Sequence, residues 1–149
     1  MKIKNRLFEN KQYIKTIEKI HSSDQLSIMD AYRINRLVGK LSELQEEYGE
    51  IKKKIFDQYG TLNEEEGTIT ISAEDRAGFN TEYNDLLDIE HDLETEKLSF
   101  PNKIEDGFSS TDLNVLETFF DLSGLEPKEK PTETEDEPDN TTPTEQESE

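Results

Sequence analysis

The amino-acid sequence predicts a mainly α-helical protein, in which two long antiparallel helices form a coiled-coil-like hairpin. A small β-hairpin is expected at the turn, with short helices at the sides. Three observations predict this fold: a heptad pattern of apolar residues over 34–55, a short alternating segment at 68–72, and a second apolar stripe over 79–93. Heptad spacing is typical of a helix that lies along a partner helix, whereas alternation is typical of a strand.

The first long helix is predicted over residues 27–59. Ser27 is a suitable N-cap, with Asp30 three residues later as in a capping box, and Gly60 supplies a C-terminal stop. The apolar residues are three and four positions apart and so form one seam. The seam consists of Ile34, Leu37, Leu41, Leu44, Tyr48, Ile51 and Ile55. We expect it to pack against the second stripe of the same chain, with self-association of two copies as the alternative.

The β-hairpin is predicted over residues 61–72, where two short segments flank an acidic turn that contains Gly67. A second long helix is expected to begin near Ser72 and to continue to about Glu96. Its apolar stripe is interrupted at Glu90. The stripe consists of Phe79, Tyr83, Leu86, Leu87 and Leu93.

Shorter elements are predicted at both ends of this arrangement. Residues 1–5 alternate as a strand does, and the apolar residues within 7–21 are spaced as on a helix. Ser109 and Asp112 form a capping box for a short helix over residues 110–122.

The chain has 149 residues and a formal net charge of −19, which is unevenly distributed. Residues 1–60 carry a net charge of +3, residues 61–125 carry −14, and residues 126–149 carry −8. The last segment contains none of the residues Ala, Val, Ile, Leu, Met, Phe, Trp, Tyr or Cys. Without apolar side chains to bury, it cannot offset the entropy lost on ordering. The sequence therefore predicts one helical hairpin domain at 1–125 and a disordered acidic tail at 126–149.

The composition disfavours several functional classes. The absence of cysteine excludes disulfides, thiolate nucleophiles and zinc–thiolate sites. The negative charge disfavours direct binding to nucleic acid or to an anionic membrane surface, and neither a membrane span nor a secretion leader is recognisable. Catalytic triads, phosphate-binding loops and calcium loops are not recognisable either, so we expect neither an enzyme nor a cofactor.

Two histidine motifs resemble parts of a carboxylate-bridged di-iron site. Glu18 and Asp88 each precede a histidine by three residues, His21 and His91 respectively, as in the metal-binding helices of ferritin-like bundles. The remaining ligands would come from Glu43, Glu46, Glu47 and Glu90. Because such spacings arise readily by chance in an acid-rich chain, ordinary histidines are the favoured interpretation and a metal protein is the weakest alternative.

The acidic segment from Glu64 to Glu126 permits two interpretations. An acidic helical surface can imitate the phosphates of DNA and so inhibit a nucleic-acid-binding host or defence protein. The alternative is a solvated surface that keeps the protein soluble, which is the commoner meaning of an acidic composition.

The leading functional expectation is binding to a protein partner. Aromatic residues dominate interface hot spots, so the last helix is a candidate docking element. Its candidate contact residues are Leu113, Leu116, Phe119 and Phe120. The alternative is that these side chains complete the core of the hairpin.

Several motifs occur in a characteristic order. They are Met-Lys-Ile-Lys at 1–4, Ala-Tyr-x-Ile-x-x-Leu at 31–37, Tyr-Gly at 59–60, Phe-Asn-Thr-Glu-Tyr at 79–83 and Leu-x-x-Leu-Glu-x-Phe at 113–119. In this order the chain resembles a group of small acidic helical-hairpin proteins encoded by bacteriophages and prophages, which are generally described as of unknown function. The resemblance covers residues 1–125. It implies a non-enzymatic accessory or assembly factor, in the cytoplasm of a bacterial host or associated with the virion.

Overall fold

The computed structural model describes residues 1–101 and 107–125, and this part of the chain is mainly helical, as predicted. Its α-helices are α1 (Lys11–His21), α2 (Ile28–Tyr59), α3 (Arg76–Asp88) and α4 (Ser110–Phe119). Its strands are β1 (Lys2–Lys4), β2 (Gly60–Asn63), β3 (Thr68–Ile71), β4 (Glu90–Asp92), β5 (Leu98–Ser99) and β6 (Phe120–Asp121). None of these helices is long and apolar enough to cross a membrane. The predicted tail, residues 126–149, lies outside the described residues.

Within the described residues the strands form three separate pairs. β2 and β3 make an antiparallel hairpin between α2 and α3, with Leu62 opposite Ile69. β1 pairs antiparallel with β4, which ties the N-terminus to the chain that follows α3. β5 pairs parallel with β6, with Leu98 opposite Phe120, and so holds the end of α4 against the segment before it.

The helical segment near the N-terminus is divided at Asn10. Residues Asn5–Glu9 form a 3₁₀ helix, and α1 begins only at Lys11. The Asn10 side chain accepts a hydrogen bond from the Gln12 amide at 3.0 Å and thereby caps α1. An asparagine side chain competes with the helix for backbone donors, which explains why one continuous helix over 7–21 does not form.

The prediction that the second helix continues to about Glu96 is wrong, because α3 ends at Asp88. The buried Asn5 side chain donates a hydrogen bond to the Leu86 carbonyl at 2.9 Å, and the Asn5 amide donates to the Ile89 carbonyl at 3.1 Å. These bonds satisfy carbonyls that a longer helix would use itself. The residues that follow, Glu90–Asp92, form β4 and pair with β1. The interruption of the apolar stripe at Glu90 therefore marks the start of a strand.

Burial along α2 follows the 3.6-residue period of a straight helix. The seam consists of two rows, in each of which the residues are seven positions apart. The first row is buried throughout, and it consists of Ile34, Leu41, Tyr48 and Ile55. In the other row, Leu37 is buried, Leu44 is half-buried and Ile51 is 42% exposed. Each heptad of a straight helix rotates by about 20° relative to a strict seven-residue repeat. The second row therefore turns away from the core, and Ile51 is a surface residue.

The core of the described residues is one cluster to which all four helices contribute. The Phe56 and Phe79 rings, 5.1 Å apart, join α2 to α3. The Tyr13 and Phe119 rings, 5.9 Å apart, join α1 to α4. The chain thus buries α4 against α1, and α3 against the second half of α2, while the first turns of α2 remain at the surface.

Candidate functional site: a surface at the start of α2

The first turns of α2 expose three large apolar side chains. Ile28 is 88% exposed, and Met29 and Tyr32 are each 57% exposed. The helix begins here because the Ser27 hydroxyl accepts a hydrogen bond from the Asp30 amide at 3.1 Å. We call Ile28, Met29 and Tyr32 the α2 patch. Neighbouring exposed apolar side chains mark binding surfaces more often than scattered single ones do.

A cationic cavity of about 220 Å³ adjoins the α2 patch. Arg33, Arg36 and Lys40 line it from α2, and Glu94 and Leu98 line it from the opposite side. We call this cavity the basic pocket. At 3.6 residues per turn, its three cations lie within an arc of about 60° on the helix. Three positive charges therefore face one negative charge across the cavity.

The far wall of the basic pocket is held in place by backbone contacts. The Lys40 ammonium donates a hydrogen bond to the Leu93 carbonyl at 2.7 Å. Glu94 has a φ of 51°, in the left-handed region, and its amide donates to the Asp92 carboxylate at 2.9 Å. Lys40 is thus occupied in fixing the wall, whereas Arg33 and Arg36 make no ion pair with any carboxylate of the described residues. Their guanidinium groups can bind a carboxylate through two parallel hydrogen bonds.

The β2–β3 hairpin exposes a second, smaller apolar surface. Leu62 and Ile69 are opposite one another in the register, and both are exposed. The three glutamates of the turn, Glu64, Glu65 and Glu66, lie at its tip. This surface has two large apolar side chains beside an acidic turn, whereas the start of α2 has three beside a cationic cavity, so the start of α2 is the stronger candidate site.

The side chains predicted to bind a partner from α4 lie inside the core. Leu116, Phe119 and Phe120 are buried, and Leu113 is half-buried. The Phe119 ring packs against Tyr13 of α1. A partner cannot reach Leu116, Phe119 and Phe120 while the fold is intact. The docking prediction for α4 is therefore corrected, and the structure supports the alternative that these residues complete the core.

The two histidines of the metal hypothesis each contact an asparagine. His21 Nε2 lies 2.6 Å from Asn35 Oδ1, and His91 Nε2 lies 2.8 Å from Asn5 Oδ1. Within residues 1–101 and 107–125, no group of three or more histidine, aspartate or glutamate side chains is placed to hold a metal ion. The geometry of this part of the chain therefore does not support the carboxylate-bridged alternative.

Basic side chains at the N-terminus interrupt the acidic segment. Lys2 Nζ lies 2.8 Å from Glu90 Oε1, and Asp88 Oδ1 accepts hydrogen bonds from Arg6 at 3.3 Å and from Lys4 at 3.5 Å. The Arg6 hydrogen bond and the Lys4 charge lower the pKa of Asp88, and the Lys2 hydrogen bond lowers that of Glu90. This pairing shortens the continuous negative surface that a DNA mimic needs.

A buried polar cluster surrounds Asp112 at the start of α4. Its Oδ1 accepts hydrogen bonds from the Thr16 hydroxyl at 2.6 Å and from the Gln12 amide group at 2.7 Å. Its Oδ2 accepts from the Ser109 amide at 2.8 Å and lies 3.4 Å from Lys19 Nζ. These donors, Thr16 foremost, lower the pKa of Asp112 despite its burial. A carboxylate whose acceptor positions are all used within the chain has a structural role.

A half-buried cluster joins the 3₁₀ helix to α2 and α3. Glu9 accepts hydrogen bonds from the Tyr48 hydroxyl and, at 2.5 Å, from Lys52 Nζ. Burial opposes the ionisation of Glu9, but these two donors outweigh it, so the net effect is a lowered pKa. Burial and the Glu9 hydrogen bond raise the pKa of Tyr48, whose hydroxyl also lies 3.5 Å from that of Tyr83. The cluster fixes the packing of three elements.

The heptad pattern begins at Ile34 and therefore does not include the α2 patch. The sequence nevertheless contains an indication of the patch. Ile28 and Met29 directly follow the N-cap Ser27, and they are apolar residues that do not belong to the heptad seam. The arginines of the basic pocket lie in the net-positive first 60 residues of an otherwise acidic chain. The far wall could not be predicted, because Glu94 was assigned to a continuing helix.

No protein-family model matches this chain, and no curated protein or solved structure matches it significantly. The resemblance to phage and prophage proteins therefore stays a prediction.

Proposed function

We propose that this chain is a non-enzymatic interaction module that docks a partner protein on the α2 patch. The observation that supports this proposal is the exposure of Ile28, Met29 and Tyr32 on adjoining turns of one helix. Full burial of a large apolar side chain contributes about 1.5–3 kcal/mol, before the costs of association are subtracted. Side chains three and four positions apart, as Met29 and Ile28 are from Tyr32, are the anchors with which a helix docks in an apolar groove of a partner.

The proposed biological role follows from the resemblance. Such a module serves a phage or prophage as an accessory or assembly factor inside a bacterial host, and it needs no cofactor. The partner is a different protein with an apolar groove. A second copy of the chain is the alternative occupant, which the oligomeric state of the crosslinked product distinguishes.

Site-specific photocrosslinking in bacterial cells tests this proposal. A photoreactive phenylalanine analogue replaces Met29 in the α2 patch, and in a matched control it replaces Leu62 on the exposed hairpin. We expect a crosslink to one defined protein from position 29. The crosslink is expected to disappear when Ile28→Ser and Tyr32→Ser are added.

The crosslinked partner is then purified and its affinity measured by calorimetry. We expect I28S/Y32S to weaken binding at least tenfold without changing the melting temperature, because both side chains are exposed. Crosslinks from position 62 alone, or an affinity that ignores I28S/Y32S, would contradict docking on the α2 patch. A crosslink only between two copies of the chain would replace the partner with self-association.

A further inference from the structure

Two arginines of the basic pocket have no acidic partner among the described residues, although the chain has a net charge of −19. Arg33 and Arg36 are both exposed, and neither lies within ion-pair distance of a carboxylate belonging to the described part of the chain. Lys2, Lys4 and Arg6 are paired with acids, whereas Lys53 and Lys54 at the other end of α2 make no ion pair within the described residues, as is true of the two arginines. The pocket therefore presents two guanidinium groups to a carboxylate-bearing ligand.

The C-terminal sequence has the complementary charge. Residues 126–149 contain ten acidic residues and two lysines. The highest density of acids is at residues 133–139, where five of seven positions are acidic and none is basic. These acids are Glu133, Glu135, Asp136, Glu137 and Asp139.

The last described residues follow a strand that is paired with the wall of the basic pocket. Leu98, which lines the pocket, is opposite Phe120 in the β5–β6 pair. The described residues end at Leu125, five positions after Phe120. Residue 133 is eight positions further, a contour length of at most about 29 Å. The acidic segment can therefore reach the pocket of its own molecule.

We propose that residues 133–139 dock in the basic pocket of the same molecule, with carboxylates bound by Arg33 and Arg36. The tether keeps these carboxylates at a local concentration in roughly the millimolar range, which allows individually weak ion pairs to form. Because Tyr32 belongs to the α2 patch and also lines the pocket, the docked segment lies at the edge of that patch. The inference rests on charge and connectivity and does not depend on the partner proposed above.

Paramagnetic relaxation measured by NMR on the full chain tests this inference. The sequence contains no cysteine, so Thr134→Cys allows one spin label at a single position. We expect amide signals of residues 32–37 and 94–98 to lose at least half their intensity relative to the reduced label. The effect is expected to disappear in R33Q/R36Q and in about 1 M salt, where the Debye length falls to about 3 Å.

Two matched controls accompany these measurements. K53Q/K54Q removes two exposed charges from the other end of α2 and is expected to leave the effect unchanged. Mixing the spin-labelled protein with an isotope-labelled copy that lacks the label should produce no broadening, because the contact is within one molecule.

Three outcomes would overturn the inference. They are broadening that persists in R33Q/R36Q, broadening equally strong around residues 53–54, and broadening that appears fully in the mixed sample. The last of these would assign the contact to a second copy. If R33Q/R36Q lowers the melting temperature, the salt titration is used instead, on the spin-labelled chain that keeps both arginines. Broadening that disappears at about 1 M salt supports docking, and broadening that persists contradicts it.

Discussion

The Thr16 hydroxyl donates a 2.6 Å hydrogen bond to Asp112 Oδ1 and joins α1 to α4 across 96 positions of sequence. Asp112 is also the third residue of α4, where it completes a capping box with Ser109. One buried carboxylate therefore starts a helix and anchors it to another. Its negative charge is stabilised by donors from both elements, so the start of α4 depends on the presence of α1.

Asp112→Asn is expected to destabilise the fold by about 1–3 kcal/mol. The side-chain NH₂ group of asparagine is itself a donor, so it could not accept the hydrogen bonds that the carboxylate receives from Thr16, Gln12 and Ser109. Urea unfolding at neutral pH measures this loss. Asp85→Asn on the exposed face of α3 is the control, and we expect it to change stability by less than about 0.5 kcal/mol. Equal effects of the two substitutions would show that the Asp112 contacts do not stabilise the fold.

The lowered pKa of Asp112 also predicts how stability depends on pH. The group is ionised more readily when folded, so its contribution is complete above the unfolded pKa of about 3.9. That contribution is lost as the pH falls from there towards the folded pKa. Between about pH 4 and pH 2, unfolding free energies should therefore fall more steeply for the natural chain than for Asp112→Asn. If the unfolding free energies of the two proteins fell equally steeply with pH, the ionised Asp112 would not stabilise the fold.

Asn5→Ala is expected to destabilise the fold by about 1–3 kcal/mol, because it removes the side-chain hydrogen bonds that Asn5 makes with the Leu86 carbonyl and with the His91 ring. Hydrogen exchange should also accelerate at the C-terminal amides of α3. Asn10→Ala provides a comparison, since it removes an exposed helix cap worth about 1 kcal/mol. Unchanged exchange in α3 would mean that Asn5 does not determine where this helix ends.

The elements that were predicted correctly are those whose determinants are local in sequence. The caps at Ser27 and Ser109 each act within three residues and are present in the structure. The end of α3 depends on Asn5, which is 81 positions from the carbonyl it binds. Periodicity alone cannot report such a contact, and it placed Leu93 correctly in the core but on the wrong element.

The candidate site shows the same division between local and distant determinants. The exposed apolar residues at the start of α2 and the two arginines beside them are visible in the sequence. The cavity itself requires the segment that contains Glu94 and Leu98 to face α2, which follows only from the early end of α3. The predicted heptad seam, which runs to Ile55, wrongly includes Ile51, because a strict seven-residue repeat ignores the rotation of a straight helix.

Phe119→Ala is expected to destabilise the fold by about 3–5 kcal/mol, since it removes a fully buried ring from the core. Thermal and urea unfolding measure the effect. Tyr32→Ala removes an aromatic ring of similar size from the exposed α2 patch and is expected to leave stability nearly unchanged. A stable Phe119→Ala variant that no longer binds a partner would restore the docking role of α4.

Gly60→Ala and Gly39→Ala are expected to have opposite effects on stability. A Cβ atom at Gly60 would overlap the Ile69 side chain and lie 2.6 Å from the Phe56 carbonyl oxygen, so about 1–3 kcal/mol should be lost. At Gly39, inside α2, a Cβ atom has no neighbour within 4 Å, and the alanine should add about 0.5–1 kcal/mol.

Thermal unfolding and hydrogen exchange of the hairpin amides are measured for both glycine variants. Together they distinguish the steric overlap at position 60 from the gain in helix propensity at position 39. We expect Gly60→Ala to accelerate exchange in β2 and β3 specifically, because the overlap lies where α2 passes into the hairpin. Gly39→Ala should leave that exchange unchanged while it raises the melting temperature. If Gly60→Ala were stabilising, the close approach of Ile69 to the end of α2 could not be part of the native fold, and the hairpin would have to leave the helix at a different angle.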